Sequence, residues 1–135
     1  MPQQRPKTRD QIPTYQPHPH HRNGTPRKSQ WTIPIEAEMN AFTGAWTAGW
    51  FASACIWGLH FDNGVVTYLG VGQDHQTQVF LAKFVDGQGT PNWHGYPIDH
   101  KEDRPPEQVM DSWLKGKYFN RAAVRRILRG QRCRL

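Results

Sequence analysis

Four histidines, His60, His75, His94 and His100, are interleaved with Asp62, Asp74, Asp99 and Lys83 along the middle of the chain. Imidazoles beside carboxylates and a cation are the parts of metal-independent ribonuclease chemistry: one base, one acid and a positive charge for the phosphorane. His94 and His60 with Lys83 make the most coherent set. Their spacing does not select that chemistry, because they sit on separate elements and meet only if the fold brings them together. His18, His20 and His21 have the residue types of a metal clip but offer no fixed geometry and no fourth ligand. Asp99, His100 and Asp103 are a weaker case still, so neither metal nor cofactor is expected. Gly70-Val71-Gly72 lacks the further glycine and helix start of a phosphate loop, and no serine or cysteine stands in a nucleophile elbow. The balance is against an enzyme, with a small histidine-dependent ribonuclease as the remaining enzymatic reading.

Arginine carries the stronger signal. Arg121, Arg125, Arg129 and Arg132 fall on one side of a carboxy-terminal helical pattern, with Arg126 just beyond and Arg134 following. Like charges at i, i+4 spacing weaken a helix unless an anion sits among them, and a phosphate backbone is such an anion. Trp93, His94 and Tyr96 crowd into an ordered loop between Pro91 and Pro97, where they would stack on exposed bases or fold inward as a lid over the sheet. These nine residues form the candidate nucleic-acid site of a small, non-enzymatic, RNA- or DNA-binding accessory protein. The alternative is a protein-interaction module, an inhibitor or assembly factor, using the aromatic loop as its anchor.

Charge is separated along the 135 residues. Residues 1–30 have six Lys/Arg against Asp10, residues 31–104 have three against eight acids, and residues 105–135 have eight against two. Two basic ends therefore bracket an acidic middle, so the expected partner is nucleic acid or an acidic protein, and copies could associate middle to end. Cys55 reads as a small buried hydrophobe and Cys133 as an exposed thiol, a usage that fits the reducing cytoplasm. The amino terminus shows no signal-peptide pattern. Ala41 to Phe61 carries no formal charge and follows a basic arm, as a membrane span would. Its Thr, Ser, Gly and His content, and the hairpin it would disrupt, argue against a membrane.

These residues need elements to position them. Residues 1–30 hold six of the eleven prolines and few large apolar side chains, which predicts a disordered basic arm ahead of a single α+β domain over residues 31–135. Trp31 to Ile35 reads as extended, and Glu36 to Ala48 as a helix. Asn63-Gly64 predicts a type I′ hairpin that pairs Asp62 with Val65 and Phe61 with Val66, continuing to Leu59 with Tyr68 and Trp57 with Gly70. Adding Thr77 to Val85 gives a three-stranded antiparallel meander. Pro105-Pro106, Glu107 and the Val109, Met110, Trp113, Leu114 stripe predict one helix, and Asn120 caps a second.

Overall fold

Residues 12–87 and 92–135 are described by a computed structural model. In chain order the elements are β1 (Gln30–Trp31), α1 (Ile35–Ala48), β2 (Phe51–Ala52), β3 (Cys55–Gly58), β4 (His60–Asp62), β5 (Val65–Thr67), β6 (Gly70–Val71), β7 (Gln78–Val79), β8 (Leu81–Asp86), β9 (Trp93–Ile98), α2 (Glu107–Lys115) and α3 (Arg121–Leu128). The class is α+β, with helices packed on antiparallel sheets.

A four-stranded sheet ordered β2-β3-β8-β9 forms the centre. Alternation sends Ile56, Ala82 and Phe84 to one face, where they pack with Phe42, Ala45 and Trp46 of α1 and with Trp93. On the other face Trp57, Leu81 and Ile98 meet Met110 and Trp113 of α2 and Val124 and Ile127 of α3. Those helices cover only part of that face. Around His94 and Tyr96 the sheet is half-exposed, and this uncovered part receives the amino-terminal segment.

The Asn63-Gly64 hairpin has the expected register, with Asp62 opposite Val65 and Phe61 opposite Val66. The meander does not extend beyond it. Leu59 is a break, so β3 pairs with β2 and β8 while β4 and β5 stand as a separate hairpin. Trp57 consequently lies opposite Lys83, not Gly70, and Gly70 pairs with Trp31 and Val79 in the small sheet β1-β6-β7. A second break at Phe80 shifts the phase of the third run: Phe80 and Leu81, neighbours in sequence, are buried in the same cluster.

The expected loop around Trp93 is the six-residue strand β9, paired to β8 from Leu81 opposite Ile98 to Asp86 opposite Trp93. Gly95 makes this pairing close, since a Cβ there would overlap the Phe84 ring. Residues 1–11 of the expected arm, and 88–91 of the turn before β9, lie outside the described residues. Residues 12–30 are not a detached arm: they are packed on the body. Among the described residues no helix is long and apolar enough to cross a membrane.

Candidate functional site: a histidine cleft beside an arginine face

The amino-terminal segment is fastened to the edge of β9. The Trp93 amide donates to Thr14 O and the Gln16 amide to Trp93 O, both at 2.8 Å. Between them Tyr15 turns inward, its ring 4.9 Å from Phe42 and 5.7 Å from Phe84, and its hydroxyl donates to Glu38 Oε2. Glu38 is 0% exposed, and its Oε1 accepts from Arg22 Nε at 2.8 Å. Burial pushes the Tyr15 phenol far above its ordinary range, with the Glu38 hydrogen bond and charge adding to the effect. Further on, buried Gln30 donates through Nε2 to His20 O at 2.7 Å and Lys28 O at 3.0 Å, and accepts from the Gly24 amide at 2.8 Å. The segment is thus fastened to the body by polar bonds to buried Glu38 and by the Tyr15 ring, and braced within itself by Gln30, contacts that its proline-rich composition does not signal.

Docking brings three histidines to β9. Pro19–His21 form one 3₁₀ turn, and the His20 amide donates to His18 Nδ1 at 3.2 Å. His21 Nδ1 donates to Ser29 O at 2.8 Å. The His18 ring lies 4.9 Å from His20, 5.6 Å from His21 and 5.4 Å from His94, while His21 stacks on Tyr96 at 5.1 Å. They line a cleft of about 550 Å³, with Arg27 and Lys28 on the arm side and Asp99, Glu102 and Asp103 on the loop after β9. Burial pushes the His18 pKa down, and the neighbouring His94, His20 and Lys28 push the same way. Burial also lowers His21, opposed by its bond to the Ser29 carbonyl. Among the described residues no three His, Cys, Asp or Glu side chains are arranged to hold a metal ion.

The set built from His94, His60 and Lys83 is not assembled. His60 lies beside Ala37 and Asn40 of α1, lining a different pocket. Lys83 shares the cleft face of the sheet but is committed, with Nζ 2.9 Å from Asp103 Oδ2 and 5.0 Å from the Trp57 ring centroid. His100 is buried and donates through Nε2 to Gln131 O at 2.7 Å. Trp93, expected to stack on bases, is 6% exposed and packs on Phe42 and Trp46, because strand alternation turns it towards α1. His94 and Tyr96 take the opposite face and remain half-exposed.

The arginine face is built by α3 and the tail. The Asn120 side chain caps the helix by accepting from the Ala123 amide at 2.8 Å, and Val124 and Ile127 are buried. Arg121, Arg125, Arg126 and Arg129 are exposed. Gly130, with φ +66, ends the helix, so Arg132 belongs to the extended tail and not to the helical side. In that tail exposed Arg132 and Arg134 flank Cys133, a free thiol that is buried and not exposed as expected; Cys55 is also free and half-buried. Burial raises both thiols above their ordinary range. The ion pairs among the described residues, Arg22–Glu38 and Lys83–Asp103, involve none of these six arginines.

One loop joins the two features. Asp99, Glu102 and Asp103 line the cleft, whereas His100 holds Gln131 and donates no further, its own carbonyl accepting from Arg104 Nη1 at 3.0 Å beside Gly130. The cleft and the root of the arginine tail therefore lie on either side of a single short segment. No protein-family model matches the chain, and no curated protein or solved structure shows significant similarity to it.

Proposed function

We propose that this protein binds nucleic acid through phosphates, gripped by Arg121, Arg125, Arg126, Arg129, Arg132 and Arg134. The observation that carries the reading is that all six are exposed and none is ion-paired to a carboxylate among the described residues, although α3 and the tail that bear them are anchored by buried Val124, Ile127 and Cys133. Fixed, unneutralised guanidinium groups suit a polyanion. Arg27 and Lys28 at the cleft rim extend the positive surface, whereas Arg22 is committed to Glu38. His94 and Tyr96 remain candidates for contact with nucleotides. The interaction-module alternative has lost its largest anchor, because Trp93 is part of the core.

Replacing Arg121, Arg125 and Arg129 together by Glu tests the reading. Retention on RNA and DNA oligonucleotides is measured against salt concentration. Each phosphate contact contributes about 0.7–0.9 to the slope of log K against log salt, so the triple variant should lose about 2–3 from that slope. Unchanged retention and slope would remove the support for this function.

A further inference from the structure

We propose that the cleft is a catalytic site for cleaving RNA at a phosphodiester, with His21 as general base and His94 as general acid on either side of His18. The inference rests on the phosphate-binding reading and narrows its substrate to RNA.

Ring chemistry assigns the roles. His21 donates its Nδ1 hydrogen to the Ser29 carbonyl, which leaves the lone pair of its neutral ring on Nε2. Its stacking on Tyr96 fixes the ring plane. His18 has the opposite tautomer: its Nδ1 accepts from the His20 amide, so its Nε2 carries the hydrogen and donates. His94 is on a rigid strand, 5.4 Å from His18, while His21 is 5.6 Å away from the same ring. A phosphate oxygen bonded to His18 Nε2 thus has the free Nε2 of His21 as acceptor on one neighbour, with the His94 ring, 5.4 Å from His18, assigned the donor role.

The charges facing these rings come from every wall. Arg27 and Lys28 stand opposite the sheet, where they can offset the growing charge on the non-bridging oxygens. Lys83 on β8 is already balanced by Asp103, leaving Asp99 and Glu102 on the loop, His20 on the arm and the Tyr96 phenol on β9 as the remaining titratable neighbours. Burial lowers His18 and His21, and the neighbouring His94 pushes the same way. Acid–base catalysis needs one ring protonated and another neutral.

In the reaction His21 Nε2 takes the proton of the ribose 2′-hydroxyl, O2′ bonds to phosphorus and the P–O5′ bond breaks. His94 gives its proton to the departing O5′. The products are a 2′,3′-cyclic phosphate and a 5′-hydroxyl end, with no oxidant, reductant or metal in the balance. DNA, lacking the 2′-hydroxyl, cannot enter this step.

The full chain is incubated in excess EDTA with an RNA oligonucleotide, its DNA counterpart, a 2′-O-methylated RNA and a dinucleotide. Cleavage of the RNA and the dinucleotide to cyclic-phosphate ends is expected, with a bell-shaped pH profile and no cutting of the other two. His21→Asn, whose amide can still donate to Ser29, and His94→Gln should each lower the rate by about 10²–10⁴-fold. The circular dichroism spectrum should not change. Retention without cleavage overturns the catalytic proposal and leaves the binding reading standing. Dinucleotide cleavage without oligonucleotide retention overturns the binding reading instead. Equal rates in both histidine variants and the wild type, or activity abolished by EDTA, also refute the assigned roles.

Discussion

Removing the Glu38 carboxylate tests how the histidines are brought to the sheet. Glu38 is fully buried, one oxygen accepting from Tyr15 and the other from Arg22. In Glu38→Ala both donors lose their acceptor where water has little access, and Arg22, whose buried Nη2 already lacks a protein partner, keeps its charge. Breaking a buried pair from one side costs about 3–5 kcal/mol. The Arg22 side chain is 20% exposed, which recovers part of that in solvation, so about 3 kcal/mol is the expected scale. The loss has a ceiling, because the segment can peel from β9 and hydrate Arg22 at the cost of the Tyr15 packing and two backbone hydrogen bonds. Urea unfolding followed by tryptophan fluorescence should therefore register about 3 kcal/mol at most. Hydrogen exchange at the Gln16 and Trp93 amides, which make those backbone bonds, should accelerate about a hundredfold, the equivalent of that energy. Glu38→Gln, which retains one acceptor, should fall between Glu38→Ala and the wild type. Stability within about 0.5 kcal/mol of wild type in Glu38→Ala, with unchanged exchange at Gln16, would refute the clamp.

Two further outcomes follow from backbone and titration chemistry. His18 and His21 are held below their ordinary value of 6.5, so the folded chain binds fewer protons there than the unfolded one. Their contribution to stability is present above pH 6.5 and is lost as pH falls below it. Protection factors of the amides in residues 14–30, corrected for the intrinsic slowing of exchange at lower pH, should fall from neutral to mildly acidic pH, and unchanged protection would contradict the burial of these rings. Ala54 turns the β2–β3 hairpin at φ +63, a conformation that costs an L-residue about 1–2 kcal/mol. Ala54→Gly should therefore gain about 1 kcal/mol in urea unfolding, and a loss would show that the turn is not strained.

What the sequence reveals divides along the range of the interactions. Helix α1 was expected over Glu36 to Ala48 and spans Ile35–Ala48. The Pro106 start of α2, the Asn120 cap of α3 and the Asn63-Gly64 turn are likewise local chemistry, legible from a few residues. The Ser53-Ala54 turn was not, since both residues take positive φ against their preference. Strand β9 was missed because Gly95 and Pro97 are locally poor in a strand, and only the fit against Phe84 and the pairing to β8 explain them. The meander failed at Leu59 and Phe80, two apolar residues that look like continuation and instead mark a change of sheet and a change of phase.

The candidate cleft was hidden for a different reason. Judging the amino-terminal segment by apolar content counts only one kind of docking, yet this segment also docks by satisfying Glu38 and by backbone bonds to Trp93, while the bonds of Gln30 brace it internally. A signal for it did exist. Glu38 stands three, four and seven residues before Ala41, Phe42 and Ala45, on the buried stripe of α1, where an uncompensated carboxylate would be costly. An acid in that position demands a donor from elsewhere in the chain, and the neighbouring basic segment offers both Arg22 and the phenol of Tyr15. Once those two residues are drawn to α1, the intervening His18 and His21 must cross the edge of β9 beside His94 and Tyr96. The grouping of the histidines is thus tied to one buried acid that makes no contact with the rings.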